Sequence, residues 1–378
     1  MKVTIVGAGI GGLTLALALE QQGIAAEIYE AAPEFKTVGA GIVLAINAMQ
    51  VYERLGLVEA LKEQGRVLEA LHITSPQLKP YSSSDLTASA KKFGVPGLTI
   101  HRAALHATLR AALKTTPIHL GKRLLHCTKK GEGYVLEWED GSHTETTLLI
   151  GADGIHSRVR AALFPAVEER FSGQWCWRGV CQQDLQGLHP ATVYEAWGKG
   201  CRFGIVPLQG NQVYWFACTN HSQAAAKALD KQGLKAVFDN FHPMVVTLIE
   251  QTTANHLILN PLSDLPNNQL WYQGHCCLLG DAAHATTPNM GQGANQAIES
   301  AWVLAQQLME QATPTAAFAA YQQIRQAKAQ KIINSSWQIG QLAHLKNPIL
   351  LGLRRAVLAL TPTKVTQQQM EQVYTLNY

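Results

Sequence analysis

The sequence predicts an α/β fold, in which a parallel sheet is joined to a second, antiparallel sheet and followed by helices. Three observations predict it. A strand, a glycine-rich turn, a helix and a second strand follow one another within the first thirty residues, and two later strands, near residues 148 and 276, also run into turns with glycine and aspartate. Between residues 174 and 219, alternating strand-like runs are rich in aromatic residues. A chain of 378 residues, 47% of them hydrophobic, is long enough for two domains.

The N-terminal segment predicts a β-α-β unit that binds a dinucleotide. Lys2–Val6 is a β-branched strand, Gly7–Gly12 has the pattern G-x-G-x-x-G, and Leu13–Gln22 is helix-like. A second strand, Ala26–Tyr29, ends in Glu30. Because a helix N-terminus offers free N–H groups and the positive end of a dipole, this turn favours a pyrophosphate.

Individual residues of this unit have separate tasks. Gly7 makes the tight turn, Gly9 lets the backbone approach the pyrophosphate, and Gly12 lets the helix and the strand pack closely. Glu30 is placed to accept hydrogen bonds from an adenosine ribose. Ala31 is followed by another alanine rather than by a cation that would bind a 2′-phosphate. This disfavours NADP at this site and leaves NAD and FAD open.

Later segments add further turns of the kind that bind ligands. Leu148–Arg160 and Gln273–His284 are each a buried strand that ends in a glycine-rich turn with an aspartate. Pro288–Asn295 contains two glycines and opens a long helix, and in Leu98–Leu109 a strand enters a helix with an arginine at the junction. Since ligands of open α/β sheets bind outside the carboxyl ends of the strands, these turns are candidate cofactor contacts.

Taken in order, these motifs resemble those of the single-component, FAD-dependent aromatic hydroxylases, which include p-hydroxybenzoate, salicylate and urate hydroxylases. The shared motifs are the N-terminal G-x-G-x-x-G, R-x-x-L from Arg102, D-G-x-x-S-x-V-R from Asp153, and G-D-A-x-H with P-x-x-G-Q-G between Gly280 and Gly293. They cover residues 1–330 or so. The resemblance implies a Rossmann-like FAD-binding domain with an inserted β-sheet substrate domain and C-terminal helices.

The resemblance also implies a reaction. An enzyme of this family uses FAD, takes NADH or NADPH as a transient co-substrate, and reacts with O₂. It hydroxylates a small aromatic or heteroaromatic substrate through a flavin C4a-hydroperoxide, which a dry pocket protects. Two alternatives stay open: an FAD-dependent oxidase or dehydrogenase of a small amine or alcohol, which needs no nicotinamide, and a non-catalytic FAD-binding sensor.

Candidate cofactor residues follow from the motifs and from the resemblance. Asp281 can accept hydrogen bonds from a ribityl chain or can cap the segment after it. Arg102 can reach the pyrophosphate, and the resemblance assigns the turn at Asp153 to FAD and nicotinamide binding, although Asp-Gly also forms ordinary turns. The full candidate set is Gly7, Gly9, Gly11, Gly12, Glu30, Ala31, Lys36, Gly41, Arg102, Asp153, Gly154, Asp281, Pro288, Gly291, Gly293, Ala294 and Asn295.

The domains are predicted to be interleaved along the chain. Residues 1–70, 98–170 and 270–340 would form a discontinuous FAD-binding domain. Residues 71–97 and 171–269 would form the substrate-binding domain, and residues 341–378 a C-terminal helical segment. Within the second insertion, serial strands joined by short turns predict an antiparallel meander, over Gln174–Cys181, Thr192–Trp197, Cys201–Leu208 and Gln212–Thr219.

Two residues of this sheet are candidates for positioning the substrate. The period of two places Tyr214, Phe216 and Cys218 on one face of their strand. The sequence does not say whether this face or the opposite one lines a pocket. We expect Arg202 to lie opposite Tyr214 if the hairpin closes through Gln209–Asn211. There the two would hold an anionic or phenolic substrate or form a plain cross-strand pair.

Composition and missing motifs narrow the remaining classes. The net charge is only +4 and the cations are scattered, which excludes a nucleic-acid-binding stripe. No stretch approaches the ~18 apolar residues of a spanning helix, and we expect the apolar helix at Ile349–Leu360 to pack on the body rather than on a membrane. Seven cysteines without Cys-x-x-Cys indicate reduced thiols in a cytoplasmic protein, and without zinc-type spacing we expect no metal. We expect a monomer or homodimer, and for His284 a backbone contact rather than general-base catalysis.

Overall fold

The structure is a computed structural model that describes residues 2–35, 40–266, 268–376 and 378, so the predicted cofactor residue Lys36 lies outside the described residues. The strands are β1 (Lys2–Val6), β2 (Ala25–Tyr29), β3 (Gly41–Leu44), β4 (Gly65–Val67), β5 (Ala70–Thr74), β6 (Pro80–Asp85), β7 (Leu98–His101), β8 (Ile118–His119), β9 (Leu124–Lys130), β10 (Gly133–Trp138), β11 (His143–Thr146), β12 (Leu149–Gly151), β13 (Arg170–Gln182), β14 (Thr192–Trp197), β15 (Cys201–Pro207), β16 (Gln212–Thr219), β17 (Ile258–Asp264), β18 (Tyr272–Gln273) and β19 (Cys276–Leu278). The α-helices are α1 (Ile10–Gln21), α2 (Ile46–Arg54), α3 (Val58–Gln64), α4 (Leu86–Phe93), α5 (Arg102–Ala112), α6 (Arg158–Leu163), α7 (Gln223–Ala228), α8 (Lys231–Val237), α9 (Pro243–Gln251), α10 (Asp281–His284), α11 (Gly293–Glu310), α12 (Pro314–Ala343), α13 (Pro348–Leu360) and α14 (Thr363–Tyr374).

A mainly parallel sheet carries the N-terminal unit. Over the described residues it has six strands in the order β18-β19-β12-β1-β2-β8, and β18 is the antiparallel strand at one edge. Val6, Gly151 and Leu278 lie side by side in register at the ends of the three central strands. The carboxyl ends of these strands therefore meet at one edge of the sheet, where α/β proteins bind ligands.

A second sheet is built from two separate stretches of the chain. In the described residues it has seven strands in the order β17-β13-β16-β15-β14-β5-β6, all antiparallel except for the β14–β5 pair. Strands β14, β15 and β16 form the predicted meander, but the expectation of four serial strands is wrong at its start, because β13 pairs with β16 instead of β14. The strands come from residues 70–85 and 170–264. The exact domain boundaries stay a prediction.

Helices cover the parallel sheet and follow it at the C-terminal end. Helix α1 packs against α11, and α11 packs against the long helix α12. Two small antiparallel sheets, β3-β7-β4 and β11-β10-β9, flank this body. Helices α13 and α14 both contact the edge strand β6. The architecture confirms the predicted α/β class with two principal sheets and C-terminal helices.

Helix α13 packs on the body, as expected from the sequence, but most of its aliphatic side chains are exposed. Asn347 caps it by accepting hydrogen bonds from the backbone N–H groups of Ile349 and Leu350. Of its residues only Arg354 is buried, whereas Ile349 is 82% and Leu360 80% exposed. This exposure could not be predicted, because an apolar helical period looks the same in sequence whether or not a partner surface covers it. Across the described ranges, no helix combines the length and hydrophobicity needed to cross a bilayer.

A buried ionic cluster ties together α2, α11 and α12. Glu299 has no solvent exposure, and one of its carboxylate oxygens accepts hydrogen bonds from Arg325 and from Lys328 Nζ, the latter at 2.7 Å. Its other oxygen accepts from Asn47 Nδ2 at 3.0 Å. Arg325 also donates to Gln296 Oε1 at 2.6 Å. Loss of Arg325 or Glu299 would leave the other buried charge without its partner, which destabilises the fold.

Replacing Arg325 with methionine should destabilise the fold strongly. The change leaves the buried Glu299 carboxylate with only Lys328 and Asn47 as partners. Removing one partner of a buried ion pair costs about 3–5 kcal/mol. Urea unfolding followed by tryptophan fluorescence measures the loss. Lys328→Met is the matched control, because Lys328 is 18% exposed and its loss leaves the Arg325–Glu299 pair intact. Equal losses for both variants would contradict this assignment.

Candidate active site

Two glycines of the N-terminal turn are required by close backbone contacts. Gly7 has a φ of +109°, and a Cβ there would lie 2.4 Å from the carbonyl oxygen of Ala152. A Cβ on Gly12 would lie 2.1 Å from the carbonyl oxygen of Gly7. A Cβ on Gly9 would meet nothing within 4 Å. Gly7 and Gly12 therefore shape the turn, and Gly9 leaves open space beside the N-terminus of α1, as a bound pyrophosphate requires.

Two helix N-termini and one acidic turn meet beside this space. Neither α1 nor α11 has a side-chain cap at its N-terminus, so their first N–H groups remain available for a ligand. A Cβ on Gly11 would lie 3.3 Å from the Cβ of Ala297 in α11, and a Cβ on Gly280 would lie 3.2 Å from the same atom. The first, third and fourth sequence motifs therefore converge, as predicted for one cofactor site.

Glu30 lies at the carboxyl end of β2 with its carboxylate fixed by the backbone. Oε2 accepts a hydrogen bond from the N–H of Ala8, and Oε1 accepts one from the N–H of Ala32, both at 2.8 Å. Ala31, which lies between Glu30 and Ala32, is half-buried. Because each carboxylate oxygen can accept more than one hydrogen bond, Glu30 keeps the capacity to bind ribose hydroxyls.

Asp281 and Arg102 lie near each other at the cleft. Asp281 is accessible to solvent, yet the protein atoms around it raise its pKa, an effect that the charge of Arg102 partly offsets. Within the described part of the chain, no hydrogen-bond donor pairs with this carboxylate. The exposed Arg102 begins α5, and its N–H donates to the carbonyl oxygen of Ala40 at 3.0 Å. An accessible, crowded and unpaired carboxylate suits a polyol ligand, and the cation beside it suits a phosphate.

Asp153 has a structural task of its own. Its carboxylate accepts hydrogen bonds from Ser157 Oγ at 2.5 Å and from the N–H groups of Arg158 and Val159 at 2.8 and 3.2 Å. These bonds hold the first turn of α6, while burial raises the pKa of the carboxyl group. Gly154 turns the chain with a φ of +84°. This geometry agrees with the alternative of a structural turn, and the cofactor role of the pair stays a prediction.

The turn from Pro288 to Asn295 is held in place by its last residue. Asn295 Oδ1 accepts from the N–H of Ala45 at 2.9 Å, and Nδ2 donates to the carbonyl oxygens of Val43 and Gly291 at 3.1 and 2.7 Å. Pro288 and Gly291 are exposed, and Gly293 and Ala294, at the start of α11, are half-buried. Asn295 therefore fixes the turn against β3, and the contact of the other residues with a cofactor stays a prediction.

One face of the second sheet looks toward this turn, and it is the face that carries Tyr214. Across β13, β16 and β15, three rows of residues share this face: Val180, Tyr214 and Val206; Arg178, Phe216 and Gly204; and Cys176, Cys218 and Arg202. The opposite face, with Trp177, Trp215 and Phe203, packs into the hydrophobic core under α8 and α9. A Cβ on Gly41 would lie 2.6 Å from the Cβ of Tyr214, so this face meets β3.

The predicted pairing of Arg202 with Tyr214 is wrong. The hairpin closes through Gln209–Asn211, which places Arg202 opposite Cys218 and Tyr214 opposite Val206. Arg202 is 1% exposed, and it donates to Glu195 Oε1 at 2.8 Å and to Asn289 Oδ1. The Arg202 side chain thus links the substrate sheet to the turn before α11. Arg202 and Tyr214 do lie on the same face of the sheet, but they are not paired.

Arg178 is a candidate substrate contact that the sequence analysis missed. It is half-buried, lies beside Phe216 in the central row, and donates to Asn260 Oδ1 at 3.0 Å. Burial raises the pKa of the neighbouring Tyr214, so that its phenol is protonated at neutral pH and can donate. The alternation of side chains along a strand could have identified it. This alternation places Arg178 on the same face as Cys176, and the pairing of β13 with β16 shows that the face is the one that carries Tyr214.

His284 is a structural residue. Its Nε2 lies 3.0 Å from Ser300 Oγ, so the expected backbone contact of its side chain is replaced by a contact with another side chain. Burial lowers its pKa to about 3, and the charge of Arg325 acts in the same direction. The imidazole is neutral and enclosed at physiological pH, as the sequence analysis expected in assigning it no base catalysis.

A dinucleotide turn, a second helix N-terminus beside it and an antiparallel sheet facing both define the fold of an FAD-dependent hydroxylase. Residues 1–336 match the family described as "FAD binding domain". The chain is 36% identical to an aurachin C monooxygenase/isomerase of Stigmatella aurantiaca, over 95% of this chain and 94% of that protein. It is 30% identical to a 2-heptyl-3-hydroxy-4(1H)-quinolone synthase of Pseudomonas aeruginosa, over 99% and 98%.

A solved structure agrees with these relatives. Klebsiella pneumoniae HpxO, in complex with FAD and uric acid, superimposes with a TM-score of 0.89 at 26% identity, covering 99% of this chain and 96% of that one. The chain belongs to the FAD-binding-domain family of aromatic hydroxylases, and it is an FAD-dependent monooxygenase. The resemblance, the cofactor and the enzyme class expected from the sequence are thereby confirmed.

Two alanine substitutions should separate cofactor binding from folding. Gly9 has a φ of −67°, which alanine adopts freely, so Gly9→Ala should leave the melting temperature of the apoprotein within about 1 °C and weaken FAD binding about tenfold or more. Gly12→Ala forces its Cβ against the Gly7 carbonyl and should destabilise the fold by about 1–3 kcal/mol. Scanning fluorimetry and flavin fluorescence titration measure the two effects. Unchanged FAD affinity in Gly9→Ala would contradict the pyrophosphate assignment.

Asp281→Asn should weaken FAD binding and leave the stability of the apoprotein within about 0.5 kcal/mol of the native value. The carboxylate is accessible to solvent in the apoprotein, so its loss changes folding little. A charged acceptor for the cofactor disappears, however, and a hydrogen bond to a charged group contributes about 1.5–3 kcal/mol, or roughly tenfold or more in affinity. Calorimetric titration of the apoprotein with FAD measures the loss. Asp153→Asn is the contrasting variant, because it should lower stability by weakening the bonds to α6. An unchanged dissociation constant would remove Asp281 from the cofactor site.

Proposed function

We propose that this enzyme uses NADH or NADPH and O₂ to hydroxylate a nitrogen heteroaromatic ring that carries an oxygen substituent. The observation that carries the proposal is the sheet face on which Arg178, Tyr214 and Phe216 lie, since Gly41 and Asn289 of the cofactor side contact the same face. The quinolone named for the Pseudomonas aeruginosa relative and the uric acid bound to HpxO are both rings of this kind.

The cofactor would be held by the residues that converge at the sheet edge. Glu30 would bind the adenosine ribose, the N-terminus of α1 and Arg102 the pyrophosphate, and Asp281 the ribityl chain. The N-terminus of α11 would favour negative charge on the flavin ring. When bound, FAD supplies the transfer of electrons from the nicotinamide to O₂ and thereby an electrophilic oxygen atom.

The substrate ring would be held by donors and by an aromatic surface. Arg178 and the protonated phenol of Tyr214 can both donate to an oxygen substituent on the ring, and Phe216 offers a flat apolar contact. A cation at that oxygen favours its anionic form. Because the anionic ring is richer in electrons, this contact both orients the substrate and activates it for attack by an electrophile.

Arg202 would act on the cofactor side rather than on the substrate directly. Two of its nitrogens are already paired, one with Glu195 on the adjacent strand and one with Asn289 in the turn before α11. The pairing fixes the distance between the substrate sheet and this turn. The substrate-positioning role expected for Arg202 is therefore proposed to be indirect, and that of Tyr214 direct.

The cellular location is proposed from the thiols. All seven cysteines are free and buried, among them the cross-strand neighbours Cys176 and Cys218. Cysteines that lie opposite each other in a sheet as thiols are typical of reducing compartments. We infer that the enzyme works in the cytoplasm.

The activity is tested with the flavin-loaded enzyme and a panel of 4-quinolones, hydroxypyridines, phenols and uric acid. We expect one nitrogen heterocycle to stimulate oxidation of NADH or NADPH together with O₂ uptake, and to gain one oxygen atom by mass spectrometry. A substrate that reduces the flavin under anaerobic conditions without nicotinamide would establish the oxidase or dehydrogenase alternative instead. Nicotinamide oxidation that no ring stimulates would support the sensor alternative.

Arg178→Gln should raise KM for the preferred ring about tenfold or more, because a charge-assisted hydrogen bond to the ring oxygen is lost. The activity should also move to higher pH, where the substrate ionises without help. Arg178→Lys is the matched control, since it keeps the charge and should recover part of the loss. Unchanged KM and pH profile in Arg178→Gln would show that this side chain does not contact the substrate.

A further inference from the structure

Helix α13 presents a continuous apolar stripe to the solvent. Its exposed aliphatic residues recur at a spacing that, with 3.6 residues per turn, places them within an arc of about 100° along a helix about 20 Å long. Leu353 is 60% and Val357 53% exposed. The stripe consists of Ile349, Leu350, Leu353, Val357 and Leu360.

The rest of the helix circumference, outside the stripe, is fixed to the substrate sheet. Arg354 is buried and donates to the carbonyl oxygen of Ala343 at 2.9 Å and to that of Gly198, in the turn between β14 and β15, at 3.2 Å. Arg355 lies over the ring of Tyr81 in β6. Since both arginines anchor the helix to the body, the stripe is a fixed feature of the surface and not the side of a detached segment.

The charged residues of the chain segment that contains the stripe have one sign. Residues 341–370 contain Lys346, Arg354, Arg355 and Lys364, and no aspartate or glutamate. Lys346 and Lys364 are exposed and flank the two ends of the helix. An apolar stripe between exposed cations is the chemistry of a helix that lies in the interface of an anionic bilayer.

A second copy of this chain fits the stripe less well. In a two-fold dimer the same face meets itself, so antiparallel helices would place Lys346 of each copy beside Lys364 of the other. The acid-free stretch offers no carboxylate to compensate these like charges. An anionic lipid surface compensates them.

We propose that α13 docks the enzyme on the surface of an anionic membrane, with the stripe seated among the headgroups and acyl chains. Lys346 and Lys364 then contact lipid phosphates. The helix still packs on the body through its arginines, and the docking departs only from the sequence-based expectation that it does not contact a membrane. The docking does not depend on the proposed reaction, because it involves no residue of the cofactor or substrate site.

The test is sedimentation of the flavin-loaded, full-length enzyme with vesicles of phosphatidylcholine alone or mixed with phosphatidylglycerol. We expect binding to the mixed vesicles that falls about tenfold in the variant L353E/V357E. Removing Lys346 and Lys364 as glutamines should weaken binding about fivefold per lysine, and added salt should have the same effect. Leu125→Glu is the matched control, because Leu125 is 49% exposed on β9 of another sheet and should bind as the native enzyme does.

Each contrary outcome is decisive. Absence of binding by the native enzyme, or equal binding by L353E/V357E, overturns the proposal. Equal binding to vesicles without phosphatidylglycerol overturns the part assigned to the lysines. Analytical ultracentrifugation identifies the other occupant: a dimer of the native enzyme that L353E/V357E converts to a monomer, without vesicle binding, assigns the stripe to a second copy. Unaltered turnover of the soluble substrate in L353E/V357E shows that the site itself is intact.

Discussion

The buried carboxylate of Glu299 is the constraint on which the cofactor side of the site depends. It pairs with Arg325 and Lys328 on one helix and with Asn47 on another, and Asn47 in turn donates to Gln292 Oε1 at 3.2 Å. Gln292 is the residue that precedes α11. A charge without solvent exposure must be fully paired. The cluster therefore fixes the position of the turn before α11, which is the turn proposed to face the flavin, through contacts among protein side chains alone.

The two sheets meet through contacts that leave little freedom at the active site. Gly41 touches Tyr214 from the cofactor side, and Arg202 bonds Asn289 from the substrate side. Gly204 belongs to the same arrangement, because a Cβ there would lie 2.0 Å from the ring of Phe216. Close contacts of this kind would limit the access of water to a ring bound on this face, and a water-poor pocket protects a reactive oxygen species from side reactions. The low charge of the chain, 15% of its residues, fits a site of this type.

The parts of this site that were predictable from sequence are those that short stretches determine. The tasks of Gly7 and Gly12 follow from one turn of six residues, and the structure shows the backbone contacts that require them. The closing turn Gln209–Asn211 was predictable, but the pairing of Arg202 with Tyr214 was wrong, because a turn centred on Gly210 places residue 202 opposite residue 218, four residues farther along β16. Arg178 was missed because β13 finds its partner β16 across about forty residues, a distance over which no local pattern acts. The exposure of the apolar residues of α13 could not be predicted either, because the hydrophobic period of a helix does not show whether another part of the protein packs on that face.

The position of α13 gives the exposed stripe a consequence for the substrate. Arg354 bonds the turn between β14 and β15, and Arg202 is the second residue of β15 after that turn. A membrane seated on the stripe would therefore lie against the end of the substrate sheet from which the Cys176, Cys218 and Arg202 row is built. An apolar ring partitions into the same bilayer. Docking would raise the substrate concentration at the sheet by the partition coefficient without any change in the site, and this favours apolar rings over charged ones.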